Sequence, residues 1–246
     1  MGKNKLKKFR ENQEMGCVFE PTPQEVQQGL EMRGKWNEEF FHNDHGIVLE
    51  LGCGKGEYTV ELARRSPDKN HVGVDIKGAR LWRGAKTATE EGLANVAYLR
   101  TRIDWIDHCF GPNEVDEIWI TFPDPQIKYK RAKHRLTHPS FLLKYAKVLK
   151  PGGTINLKSD SEFLHGYTLG LLQVLGIEVE ESYHDIYDQI QPNEGILFDV
   201  ITHYEKIWLS QKKSITYLRF KIDNLEQRLR EFGMLERFAS QRFDLD

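Results

Sequence analysis

Cysteine is scarce in this chain: Cys17, Cys53 and Cys109 are the only three among 246 residues. None shares a CxxC spacing or sits beside clustered histidines, so neither a disulfide nor a bound metal is expected. Long apolar runs are missing as well. No stretch approaches the roughly 20 residues that a membrane-spanning helix needs, and the basic opening Met1 to Arg10 is not followed by the apolar core of a secretory signal. The expectation is therefore a cytoplasmic protein with no membrane partner. Gly/Ser-rich or Pro-rich linkers and internal repeats are also lacking, which argues for one catalytic unit. We divide the chain into a basic extension over 1–40, a main domain over 41–220 and a helical extension over 221–246. An excess of one charge is missing too, with a formal net charge of −2, but local patches matter more than the total. Lys3, Lys5, Lys7, Lys8 and Arg10 form one basic run, and Lys128, Lys130, Arg131, Lys133 and Arg135 a second; an acidic stretch between Glu178 and Asp199 offsets them.

Strand and helix patterns alternate along the chain. Ile47 to Leu51 is an apolar run ended by glycines, which reads as a buried strand, and Glu57 to Arg65 has helical apolar spacing stopped before Pro67. Further strands are expected at His71 to Val74, Val96 to Leu99, Glu117 to Thr121 and Thr154 to Lys158, with helices at Ala79 to Glu91 and Ser140 to Leu149. A helix near Glu162 to Leu175 precedes a closing antiparallel pair, Ile177 to Tyr183 and Tyr217 to Phe220. From Lys221 onward, Ile222, Leu225, Leu229 and Phe232 recur at helical spacing and predict a C-terminal helix. Strands separated by helices make an α/β fold with a mostly parallel sheet covered on both faces, where ligands gather at the carboxyl ends of the strands.

At the end of the first expected strand stands Glu50-Leu51-Gly52-Cys53-Gly54-Lys55-Gly56. Glycines at such a turn let the backbone approach a ligand closely. A dinucleotide site would require G-x-G-x-x-G and so a glycine at Glu57, beside a pyrophosphate that a carboxylate repels. S-adenosylmethionine has no phosphate and carries an ammonium and a sulfonium, which Glu50 attracts; the charge pattern favours the methyl donor. Asp75 ends the next strand, where an acid accepts from ribose hydroxyls. The adenine is expected near the third strand's end, around Arg102 to Asp104. Further on, Pro123 and Pro125 hold Asp124 in a stiff segment at the carboxyl edge of the sheet, although Pro-flanked aspartates also serve as plain turn formers. The second basic run follows at once and reads as a phosphate-backbone grip, with a solvated face as its alternative. The first run reads either as an arm that orders on RNA or as a solubilising tail.

Taken together, Glu50-Leu51-Gly52-x-Gly54-x-Gly56, Phe122-Pro123-Asp124-Pro125 with its basic run, Ser159-Asp160 and Thr202-His203-Tyr204-Glu205 resemble the bacterial tRNA (guanine-N7-)-methyltransferase family, over roughly Ile47 to Phe220. The resemblance implies a Rossmann-like class I S-adenosylmethionine-dependent methyltransferase with a mostly parallel seven-stranded sheet and helices on both faces. It further implies tRNA as partner, S-adenosylmethionine as cofactor and guanine 46 of the variable loop as target. Cofactor contacts carry over to Glu50, Gly52, Gly54, Gly56, Asp75 and Asp124, with the family's third-strand acid falling at Arg102 or, allowing a gap, at Asp104. Asp124 is the implied catalytic residue, and substrate contacts carry over to Lys128, Asp160, Thr202, His203, Tyr204 and Glu205. Where the family commonly has tryptophan after Pro-Asp-Pro, this chain has Gln126, and Ser159 replaces the more usual threonine.

A helix capping box is the alternative reading of Thr202 and Glu205, since T-x-x-E is its signature. Three rival functions remain at this point: a small-molecule methyltransferase, a non-catalytic RNA-binding module and an NAD-dependent oxidoreductase. Either a monomer or a homodimer is compatible with the pattern.

Overall fold

The computed structural model describes residues 3–191 and 195–236. Among them eight strands form one sheet: β1 (Val18–Phe19), β2 (Gly46–Leu51), β3 (Lys69–Val74), β4 (Val96–Leu99), β5 (Val115–Thr121), β6 (Leu149–Ser159), β7 (Val179–Tyr183) and β8 (Thr216–Lys221). Their order is β1-β4-β3-β2-β5-β6-β8-β7. β1 to β6 pair in parallel, while β8 runs antiparallel to both β6 and β7. The chain reverses direction of travel across the sheet between β2 and β5, and an α/β sheet opens its ligand crevice at such a point.

The helices in chain order are α1 (Lys3–Glu14), α2 (Pro23–Gln28), α3 (Glu57–Arg65), α4 (Gly78–Glu90), α5 (Ile106–Cys109), α6 (Pro139–Val148), α7 (Glu162–Val174), α8 (Ile186–Gln189), α9 (Ile196–Asp199), α10 (His203–Ser210) and α11 (Leu225–Glu231). Strand side chains alternate between faces with period two, and this divides the core. Ile47, Leu49 and Leu51 of β2 and Ile118 and Ile120 of β5 enter the larger cluster with Val26, Phe141, Leu164 and Leu225. Val48 and Trp119 face the other way, into a cluster with Tyr58, Ile186, Leu197, Phe198 and Tyr217. Part of that second face is thus roofed by the insertion between β7 and β8, which brings α8, α9 and α10 to the sheet.

Three expectations are corrected. The sheet has an eighth strand, because Val18 and Phe19 add to the free edge of β4 in register with Tyr98 and Leu99; two residues are too short to show a period in sequence. The Lys3 to Arg10 run is not a free arm. It lies in α1, seated on α4: Trp82 Nε1 donates to Glu11 at 2.6 Å, Asn12 Nδ2 donates to the Gly78 carbonyl at 3.1 Å, and Lys8 Nζ stands 4.4 Å over the Trp82 ring. At the other end, strand β8 continues to Lys221 and the last helix begins only at Leu225. Ile222, Leu225 and Leu229 are buried, whereas Phe232 is half exposed. The expected extension beyond residue 236 lies outside the described residues.

Candidate active site

The turn after β2 is built from left-handed backbone: φ is +79° at Gly52, +57° at Gly54 and +68° at Gly56. Gly52 N–H and Cys53 N–H both donate to the Val74 carbonyl, at 2.8 and 3.1 Å, and Gly54 N–H donates to the Asp75 carboxylate at 2.9 Å. These bonds lash the turn to the end of β3. The glycines differ in what surrounds them. A Cβ at Gly52 or Gly54 would meet no atom closer than 3.9 Å, so the backbone there is open to a ligand, with Ile103 and Leu136 as the nearest side chains at Gly52. A Cβ at Gly56 would collide with Tyr98, which donates to the Gly56 carbonyl at 3.2 Å and also fills hollows left by Gly73 and Gly84. Gly56 therefore packs the turn onto the fold.

Glu50 lies beneath this turn, 3% exposed. One carboxylate oxygen accepts from Thr59 N–H at 2.8 Å and from the Thr59 hydroxyl at 2.5 Å, and the other accepts from Thr121 at 2.7 Å. Since Thr59 stands in the first turn of α3, Glu50 caps that helix with a negative group, where the helix dipole favours one. Burial nevertheless pushes its carboxyl up to about 7. The charged form thus costs more in the fold than in the unfolded chain, so stability should be full below the ordinary carboxyl pKa of 4.5 and decline as pH rises to about 7. The loss is on the order of 3 kcal/mol. A thermal-unfolding series from pH 4.5 to 8 on the ligand-free protein is expected to show it, and Glu50→Gln to flatten it.

Asp75 is almost buried, and its two oxygens accept from Gly54 N–H and, at 2.7 Å, from Lys77 N–H. Each oxygen thus keeps one lone pair without a partner among the described residues. At the end of β4, Arg102 grips Asp104 through two parallel bonds of 2.9 and 2.8 Å. The two candidates for the adenine position are therefore one ion-paired unit beside Ile103.

Beyond β5 the chain makes a tight segment around Asp124. Phe122 and Gln126 both have left-handed backbone, φ +48° and +46°, a conformation costing non-glycine residues on the order of 1 kcal/mol each. Asp124 is exposed, and its carboxylate accepts Gln126 N–H at 3.0 Å. Arg135 holds the segment from behind. Its guanidinium donates to the Gln126 carbonyl at 3.2 and 3.1 Å and to the Ile127 carbonyl at 3.4 Å, between the rings of Phe163 (4.9 Å) and Tyr167 (4.4 Å). Arg135 is buried, which removes it from the expected phosphate grip. Arg131 is exposed and donates to the Gln126 side chain at 2.9 Å, while Lys128 and Lys130 point outward. Arg135→Ala is expected to destabilise the fold by roughly 2–3 kcal/mol in denaturant unfolding and to lower turnover by loosening Asp124.

Asp160 follows β6 directly, and its neighbour across the ladder is the segment after Thr121, since Thr121 pairs with Lys158. Lys213 approaches its carboxylate at 3.4 Å. The T-x-x-E segment differs from its expected role. Thr202 caps α10, its hydroxyl accepting Glu205 N–H at 3.1 Å. The Glu205 side chain is wholly buried and binds Lys158, also wholly buried, with Lys158 Nζ 2.7 and 2.9 Å from its two oxygens. Glu205 thus does not face the rim. Tyr204 is exposed, and the side chain of His203 lies outside the described residues.

The glycine turn, Asp75, the Arg102–Asp104 pair, Asp124, Lys128 and Asp160 all stand at the carboxyl ends of β2 to β6. Residues 44–218 match the family model described as a putative methyltransferase. A tRNA (guanine-N(7)-)-methyltransferase of Christiangramia forsetii is 60% identical, covering 89% of this chain and 98% of its own. The chain belongs to the tRNA (guanine-N7-)-methyltransferase family. Among solved structures, the 16S rRNA methyltransferase KamB superposes with a TM-score of 0.57 at 16% identity (74% of this chain, 90% of that one). A SAM-dependent methyltransferase from Aquifex aeolicus gives 0.50 at 14% identity (81% and 98%). At such identities the likeness shows the fold alone, a Rossmann-like class I methyltransferase sheet.

The cofactor of this family is S-adenosylmethionine, and the residues present fit it. The open backbone at Gly52 and Gly54, an acid with spare lone pairs at Asp75 and an apolar flank at Ile103 suit a nucleoside that carries no phosphate. Sequence reasoning missed four contributors: Tyr98 beneath the turn, Thr59 and Thr121 on Glu50, and Lys158. Only Lys158 left a signal, as a charged residue near the end of a strand predicted to be covered on both faces. No helix among the described residues is long and apolar enough to cross a membrane.

Proposed function

We propose that this chain transfers the methyl group of S-adenosylmethionine to N7 of guanine 46 in the variable loop of tRNA, in the cytoplasm. The observation that carries this reading is the juxtaposition, on one rim, of a phosphate-free nucleoside cradle, the rigid Asp124 segment and the outward-pointing Lys128 and Lys130. Sixty per cent identity to a relative of that name supports it. When bound, the cofactor supplies an electrophilic methyl on a positively charged sulfur. Guanine N7 keeps an in-plane lone pair, so no base has to remove a proton first, and the protein's task is positioning. Asp75 takes the ribose hydroxyls, the Gly52 to Gly56 turn lets the donor close on the backbone, and Arg102 with Asp104 borders the adenine. Asp124 faces the reacting groups and favours the positive charge that grows on the base. Lys128 anchors a phosphate, Asp160 accepts from guanine N–H donors, and the segment from Thr202 through His203 to Tyr204 borders the base. Every residue invoked lies on one chain, so a monomer and a homodimer would each hold complete sites.

Incubation with labelled methyl donor and unmodified tRNA, followed by nucleoside identification, tests the reading. We expect 7-methylguanosine, lost when guanine 46 is replaced by adenosine. Labelled tRNA without 7-methylguanosine, or no transfer at all, overturns it.

A further inference from the structure

Among the described residues Lys158 is the one lysine of the sheet whose side chain has no exposed surface, and it reaches three points of the insertion between β7 and β8. Its Nζ donates to the Leu197 carbonyl at 2.6 Å, lies 3.5 Å from the Val200 carbonyl, and meets the Glu205 carboxylate. Tyr187 adds a hydroxyl donor to Glu205 at 2.9 Å. The same residue also holds the Asp124 segment: its carbonyl accepts Phe122 N–H at 2.8 Å, and its Nζ stands 5.9 Å from the centre of the Phe122 ring and 5.4 Å from that of Tyr58. A single residue of β6 therefore ties together the two segments that flank the rim, the strained turn before Asp124 and the chain from Leu197 to Glu205.

A hydrophobic side chain would serve a plain core position with less desolvation, and a buried ion pair is a poor source of stability. What the pair supplies is a fixed geometry: the ammonium carries three donors, and the acceptors in the insertion together with Glu205 use them. We propose that Lys158 is a positioning residue for the guanine site, and that Glu205 acts by orienting Lys158 from inside the fold instead of touching the base. This rests on the function proposed above. Thr202 through Tyr204 then border the substrate because Lys158 and Glu205 pin the start of α10 behind them.

The test is a double-mutant cycle of Lys158→Met, Glu205→Gln and the combined Lys158→Met/Glu205→Gln protein, each assayed well below its unfolding temperature. Each single variant is expected to lower kcat/KM for tRNA by about a hundredfold, with the dissociation constant for S-adenosylmethionine within twofold of the parent. The combined variant, which leaves no unpaired buried charge, is expected to be no worse than the poorer single one. Losses that multiply in the combined variant would mean that Glu205 has its own contact with tRNA, and would overturn the proposal. So would unchanged kinetics per folded molecule with only a lowered unfolding temperature, the mark of a purely structural pair. Hydrogen exchange supplies a readout independent of the substrate. In Lys158→Met, amides of residues 122–127 and 195–205 should both exchange at least tenfold faster than in the parent, and unchanged protection in either segment refutes the tie. If the parent protein methylates no tRNA, the functional reading fails while the exchange experiment still judges Lys158.

Discussion

Asp124→Asn is expected to lower kcat for methyl transfer to tRNA by on the order of 10²- to 10³-fold, the usual effect of removing one electrostatic partner of a developing charge. The substitution isolates charge from shape. An asparagine side-chain oxygen still accepts the Gln126 N–H that Asp124 takes at 3.0 Å, and Pro123, Pro125 and Arg135 keep the segment in place. Only the negative charge disappears, at the point where, in the proposed reaction, a neutral guanine becomes cationic. Because Asp124 is exposed and makes no ion pair among the described residues, its replacement should leave the unfolding temperature within about one degree, as is usual at surface positions. Steady-state kinetics with unmodified tRNA, read beside a thermal melt, decide the matter. Full turnover in Asp124→Asn would take this residue out of the chemistry.

Asp75→Ala is expected to weaken binding of S-adenosylmethionine by about a hundredfold or more, measured by titration calorimetry, with tRNA affinity unchanged. Two losses combine. On the proposed function the ribose hydroxyls lose their acceptor, and the N–H groups of Gly54 and Lys77, which Asp75 now satisfies at 2.9 and 2.7 Å, are left without one. A charge-assisted hydrogen bond contributes about 1.5–3 kcal/mol, so two such changes suffice for the predicted factor. Asp75→Asn should fall between the parent and the alanine variant, since its amide oxygen accepts but its NH₂ opposes one of the two backbone donors. Equal affinities in all three proteins would remove Asp75 from the cofactor site.

The contrast between Glu50 and Asp75 bears on how the glycine motif works. Both are acids at neighbouring strand ends, yet Glu50 spends its lone pairs on side chain and backbone of α3 and on Thr121 of β5, whereas Asp75 takes only two backbone N–H groups, one to each oxygen. Glu50 fixes the start of α3 from beneath the turn.

Local pattern made much of this protein legible. Ile47 to Leu51, His71 to Val74 and Val96 to Leu99 are strands because their alternating or continuous apolar side chains have two covered faces to fill, and the G-x-G-x-G turn and the Pro-flanked Asp124 are fixed by backbone chemistry that acts within a few residues. By itself, then, the sequence determined the α/β architecture, the glycine turn after β2 and the placement of Asp75 and Asp124 on the carboxyl rim. Three assignments needed the tertiary structure. Arg135 belongs to a visible basic run, but whether it meets solvent or two aromatic rings depends on α7, which is distant in sequence. Glu205 stands in a segment that reads equally as a cap and as a ligand, and its partner Lys158 lies 47 residues away. The N-terminal cations carry no mark of the Trp82 platform on which α1 sits. A charged side chain's role depends on what neutralises it, and that partner is chosen by which strands and helices come together, so its direction was decided only when the chain folded.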